Sequence, residues 1–161
     1  MRDRDEMNIK TKKEHRQNGF SCIHCHGWVP INEFMGTNNR NHCTTCLWSK
    51  HVDQERAGDR KSTCRAGMKP IGLTIKQAGI DKYGKPRQGE LMIIHQCTNE
   101  GKISINRIAA DDNTEMIMKV FEESLSMQTD LRNKLEKDNV SGLGEANRQQ
   151  IRIQLFGKVS A

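Results

Sequence analysis

Three segments in the middle of the chain carry apolar residues at strand-like spacing. Residues 70–76 (PIGLTIK), 90–97 (ELMIIHQC) and 102–109 (KISINRIA) are short, β-branched and bounded by glycine or polar clusters, and each predicts a β-strand. The polar stretch 81–89 (DKYGKPRQG) reads as a hairpin connection, so small antiparallel hairpins are expected. After residue 113 the period changes. Ile117, Val120, Phe121, Leu125, Leu131 and Leu135 follow helical spacing and predict one helix over 114–138, with Asp112, Asn113 or Thr114 as its N-cap and Asp112 the foremost of them. Residues 139–144 (NVSGLG) end it. Ile151, Ile153, Leu155 and Val159 alternate, which favours a strand, although Ile151 and Leu155 also suit a helix. Residues 1–18 have no periodicity and predict a flexible basic arm. The pattern divides the chain into that arm, a hairpin-built unit over 19–113 and a helix with tail over 114–161. The fold class expected is α+β.

Composition changes the picture in one respect. Only 34% of the 161 residues are hydrophobic and 4% aromatic, a thin supply for a core. Six cysteines suggest another source of stability. No apolar run approaches the roughly 18–20 residues that a membrane span needs. The N-terminus, MRDRDEMNIKTKKEHR, lacks the apolar stretch of a secretory signal. A cytoplasmic location and reduced cysteines are therefore expected, and metal ligation rather than disulfides.

The spacing supports this. Cys22-x₂-Cys25 is followed after seventeen residues by Cys43-x₂-Cys46. Each tight turn can bring two sulfurs onto one ion, and two turns complete a tetrahedron. Thiolate donors without a redox requirement favour zinc, an iron–sulfur cluster being the alternative. Four protein ligands leave no open position, so the site is structural. His24, His26 and His42 flank the ligands and read as loop residues.

Around the second pair the chain reads Arg40-Asn41-His42-Cys43-Thr44-Thr45-Cys46-Leu47-Trp48. Cys64-Arg65-Ala66-Gly67-Met68-Lys69-Pro70 follows, then His95-Gln96-Cys97, then Asn106-Arg107-Ile108-Ala109-Ala110-Asp111-Asp112-Asn113. This resembles the bacterial RNHCP domain family over about residues 19 to 113. The resemblance implies a small zinc-ribbon protein, and the expected architecture is tandem zinc ribbons built from hairpins, then a C-terminal helix. The resemblance also implies a second zinc held by Cys64, a cysteine pair at 97 and 100, and a histidine. Two positions depart from the family. Thr44 stands where the naming motif has proline, and Glu100 stands where the family has the second cysteine of its CxxCG knuckle.

With four cysteines assigned, Cys64 and Cys97 remain. His51 follows the first site, and His95 lies two residues before Cys97 on the same side of a strand. The candidate second set is Cys64, Cys97, His51 and His95, with Glu100 as an alternative oxygen ligand. The competing reading is two buried thiols without metal. One zinc ion is thus expected, and a second is left open.

The formal net charge is +6, with the excess in the N-terminal half. Arg40, Lys50, Arg60, Lys61, Arg65 and Arg107 surround the cysteine turns, and Trp28 and Trp48 lie within three residues of a ligand. Cations can neutralise phosphates and an indole can stack on an unpaired base, so RNA or a ribosomal partner is the expected class. The tryptophans can equally cover the metal sulfurs. Nucleotide-binding loops, HExxH and a nucleophile elbow are absent, which favours binding over catalysis. The alternatives are a protein-interaction adaptor acting through the C-terminal helix, and a metal-dependent nuclease built on Glu100 and an open coordination position.

Overall fold

The computed structural model describes residues 19–31, 42–51, 63–76, 79–85 and 89–157. The arm at 1–18 lies outside them. Strands β1 (Gly19–Ser21) and β2 (Trp28–Pro30) form a separate antiparallel hairpin. Strands β3 (Ser49–Lys50), β4 (Gly67–Lys76), β5 (Glu90–Cys97) and β6 (Ile103–Arg107) form an antiparallel sheet in chain order. Helices α1 (Thr114–Ser124), α2 (Thr129–Lys137) and α3 (Arg148–Phe156) follow. The architecture is α+β, as the periodicities predict.

The core lies on one sheet face. Leu73, Leu91 and Ile93 pack with Leu47 against Ile117, Val120 and Phe121 of α1 and Ile151 of α3. One core therefore joins residues on both sides of position 113. Strand β4 reaches it through a bulge between Pro70 and Gly72. Met68 faces Cys97 and Pro70 faces His95 before the bulge, and Leu73 faces Ile93 and Ile75 faces Leu91 after it. Proline has no N–H for the ladder, and the extra residue resets the alternation so that all four side chains share a face. Beyond Met68, β3 no longer covers β4. The segment before α3 covers that edge, with Leu143 N–H donating to Leu73 O at 2.9 Å and Thr74 Oγ1 donating to Ser141 O at 2.7 Å.

Three sequence expectations are corrected. The helix expected over 114–138 is two helices, broken at 125–128. Leu125 and Leu131 are six residues apart, which takes them off a single helical stripe. The Arg132 guanidinium donates to Ser124 O at 3.2 Å and to Leu125 O and Met127 O at 3.3 Å, satisfying carbonyls freed by the break. Asn113, not Asp112, caps α1, accepting from Met116 N–H at 3.0 Å. Through Phe156 the tail is a helix, not a strand: Ile151 is fully buried, Leu155 packs one turn on, and Gly157 ends α3 at φ 74°, while Val159 lies outside the described residues. Arg148 fastens that helix by pairing with Glu122 of α1 and Glu145. Among the described residues no helix is long and apolar enough to cross a membrane.

Candidate metal centres

Three hairpin tips repeat one backbone. Ser21 pairs with Trp28, His42 with Ser49, and Gln96 with Ile103. Within each tip the first cysteine's N–H donates to the carbonyl five residues on, and its own carbonyl accepts from the N–H four residues on. The pairs are Cys22–Gly27 (2.8 Å) and His26–Cys22 (3.0 Å), Cys43–Trp48 (2.9 Å) and Leu47–Cys43 (3.0 Å), and Cys97–Lys102 (2.8 Å) and Gly101–Cys97 (2.9 Å). The fifth position is left-handed in all three, with φ 63° at His26, 65° at Leu47 and 73° at Gly101. Such a turn directs the first and fourth side chains to the same side.

The first two tips face each other. Cys22, Cys25, Cys43 and Cys46 bring all four sulfurs within 4.8 Å of one another. The Cys22–Cys46 and Cys25–Cys43 separations are 3.5 and 3.6 Å. These are too long for disulfides. They approach the edge of about 3.8 Å that a tetrahedron of Zn–S bonds requires. Backbone N–H groups of His24 and Thr45 point at Cys22 Sγ and Cys43 Sγ at 3.3 and 3.4 Å, the donors a thiolate wants. Burial, reinforced by the neighbouring Cys22 and Cys43 sulfurs, pushes the Cys46 thiol far up from its ordinary value, against a lowering hydrogen bond from the Trp48 backbone. A divalent cation removes that penalty. The donor set and its spacing fit zinc. Val29 and the buried cysteines form a small apolar cluster with Phe20 and Trp48.

The third tip builds a second group at the end of the four-stranded sheet. His51, Cys64 and Cys97 place three donor atoms within 4.8 Å of one another. Cys64 Sγ is 3.6 Å and His51 Nδ1 is 3.3 Å from Cys97 Sγ. Extension of the β3–β4 pairing holds His51 beside Cys64, with His51 N–H donating to Ala66 O at 2.8 Å and Arg65 N–H donating to His51 O at 3.0 Å.

His95 does not join this group. It is fully buried, and its Nε2–H donates to Leu47 O at 2.6 Å while Asn106 Nδ2 donates to Nδ1 at 2.8 Å. Burial, with some help from His42, lowers its pKa to about 3, so the ring is neutral and both nitrogens are occupied. It shares a sheet face with Cys97, yet the ring serves the second tip's carbonyl.

Sequence reasoning missed a contact between two of its own motifs. His42, beside ligand Cys43, bonds through Nε2 to Asp112 Oδ2 at 2.7 Å, and Ala109 N–H donates to the same oxygen at 2.8 Å. Asn113 N–H donates to Thr44 O at 2.8 Å. The second tip is thereby tied to the start of α1. The presence of both residues in the family's motifs was the available signal.

The candidate nucleic-acid residues scatter more widely. Arg40, Arg60 and Lys61 lie outside the described residues. Lys50 and Arg65 are exposed and flank His51 and Cys64. Arg107 lies at the far end of β6 from the third tip and pairs with Glu90 at 2.8 Å. Trp28 is 52% exposed. Trp48 is half-buried and stacks on the exposed His24 ring, with centroids 4.0 Å apart and an interplanar angle of 2°.

The RNHCP domain family model matches residues 17–118. The chain belongs to the RNHCP domain family. The match spans all six cysteines, all three hairpin tips and the His42–Asp112 contact. It also takes in the first residues of α1, in keeping with the shared core. No curated protein and no solved structure matches the chain.

Proposed function

We propose that this RNHCP protein is a zinc-stabilised RNA-binding protein that takes an unpaired strand, ribosomal or from another ribonucleoprotein, across the surface between its two cysteine clusters. Zinc held by Cys22, Cys25, Cys43 and Cys46 supplies folding free energy and no chemistry. The observation that carries the reading is the His24–Trp48 stack. It presents an exposed, flat ring on the first tip, stacked on an indole that itself lies against Gly67. Gly67 lets the indole lie close to β4, since a β-carbon there would sit 3.1 Å from Trp48 Cζ3. Lys50 of β3, paired with Gly67, and Arg65, two residues before β4, bring exposed positive charge close by. A base stacked on such a ring is worth about 1–3 kcal/mol, and lysine and arginine neutralise phosphates without reading sequence.

The test is binding of a fluorescent single-stranded RNA oligomer to the zinc-loaded full chain at rising salt. Affinity should fall steeply with salt. It should drop about tenfold in His24→Ala, and further in Lys50→Glu/Arg65→Glu. Absence of affinity at low salt removes the reading.

A second reading has one observation behind it. Ile153 and Phe156 on α3 are 41% and 49% exposed, a small apolar patch suited to a protein partner. Ile153→Asp/Phe156→Asp would abolish such docking and leave RNA binding untouched.

A further inference from the structure

We propose that Glu100 is the fourth ligand of the second cluster and that its carboxylate makes the ion held there the exchangeable one of the two. The inference takes from the proposed function a zinc ion at the Cys₄ group and adds to it an ion at the second candidate group, His51, Cys64 and Cys97. Three observations carry it. First, the tip over 97–101 has the backbone of the two Cys₄ tips, including the left-handed fifth residue. In those tips the first and fourth residues, 22 with 25 and 43 with 46, serve the same group of donors. The equivalent pair here is Cys97 and Glu100. Second, the backbone agrees in detail: Glu100 N–H donates to Cys97 Sγ at 3.3 Å, as Cys25 N–H does to Cys22 Sγ at 3.5 Å. Third, the carboxylate lies beside one of the three donors, so that a turn of its exposed side chain, not a movement of the backbone, is what coordination requires. Glu100 Oε2 is 3.5 Å from His51 Nδ1, the same nitrogen that lies 3.3 Å from Cys97 Sγ.

His51, Cys64 and Cys97 alone leave a tetrahedral ion one ligand short, and zinc accepts carboxylate oxygen beside sulfur and nitrogen. The resulting donor set is two sulfurs, one nitrogen and one oxygen. Two properties follow from it. A carboxylate holds zinc less firmly than a thiolate does, and this one is attached to a side chain 51% exposed. An incoming thiolate from solvent can therefore displace the oxygen while the other three donors, on the buried or half-buried residues His51, Cys64 and Cys97, keep their places. Asn99 Nδ2, donating to Cys64 Sγ at 3.7 Å, helps hold that sulfur. With Glu100 coordinated, no position remains for a metal-bound water, which removes the arrangement a hydrolytic reaction would use.

The experiment titrates the full-length metal-free chain with Zn²⁺ and, separately, Co²⁺, and reads stoichiometry by native mass spectrometry and affinity by competition with a chromophoric chelator. Wild type should bind two ions, and isotopically labelled zinc should replace one of them at least tenfold faster than the other. Glu100→Ala should weaken the second ion at least tenfold and leave the first unchanged. Glu100→Cys should tighten the second ion, slow its exchange and raise the thiolate-to-cobalt charge-transfer absorption. Circular dichroism of each loaded variant confirms that the sheet is intact. Unchanged second-ion affinity in Glu100→Ala overturns the assignment of Glu100 alone. Binding of one ion only by wild type overturns the two-centre reading and this inference with it. Equal exchange rates for the two ions overturn the claim of exchangeability.

Discussion

His26 and Leu47 occupy the same left-handed position in two equivalent turns, and their environments differ. A left-handed L-residue costs about 1–2 kcal/mol, and glycine escapes that cost at the expense of roughly 0.5–1 kcal/mol of chain entropy. His26 is exposed, so His26→Gly should leave the zinc-loaded protein equally stable or raise its stability by up to about 1 kcal/mol in urea unfolding. Leu47 is fully buried in the main core, so the same replacement should lower stability by about 2–4 kcal/mol. Equal effects at the two sites would contradict the burial of Leu47 and the exposure of His26. His95 is legible at this scale through its titration. Burial lowers its pKa to about 3 in the folded protein, against 6.5 for the free side chain. The unfolded chain therefore binds the extra proton first. The stability His95 contributes is complete above 6.5 and is lost as pH falls toward 3, at up to about 1.4 kcal/mol per pH unit. Comparing wild type with His95→Gln across that window isolates this residue from the cysteines, and the variant should show the shallower slope.

At the scale of the element, the hairpins are too short to stand unaided. Strands β1 and β2 have three residues each and, among the described residues, pair only with one another. Chelation should therefore erase hydrogen-exchange protection at the amides of Cys22, His26, Cys43 and Leu47, which the turns hold in hydrogen bonds. Protection retained there after complete metal removal would contradict a metal-held turn. The start of α1 is a second junction. Asp112 is buried and receives His42 and the Ala109 N–H, so Asp112→Ala strands both donors and should cost about 2–4 kcal/mol. Asn113→Ala removes an exposed cap and should cost about 1 kcal/mol. The ordering, read by urea denaturation, distinguishes a buried tie from a helix cap.

For the molecule as a whole, the sheet and the helices form one hydrophobic unit. Ile117, Val120, Phe121 and Ile151 cover Leu73, Leu91 and Ile93. Deleting 114–161 should uncover that face and yield a protein that binds a hydrophobic dye and loses its cooperative melt even with zinc present. A truncated chain that keeps a sharp melt would show instead that the ribbon folds alone. The helices are thus occupied by the core. An adaptor role is left with the exposed Ile153 and Phe156 on α3.

The order of residues along the chain was enough to reveal the Cys₄ group, strand β5 to the residue and the family, because these depend on local spacing: two residues between paired sulfurs, two-residue alternation along a strand, and motifs read in order. Local spacing was silent on which distant groups meet. Position alone made His95 as good a ligand as His51, and folding turned one ring toward Leu47 O and the other toward Cys97. Alternation at 151–159 suited a strand until packing buried Ile151 and left the exposed edge of β4 to Leu143. The link between His42 and Asp112, and the approach of Glu100 to His51, join residues far apart in the chain. Chain-distant partners are chosen by which faces must leave water together, and that choice is made only when the whole core assembles.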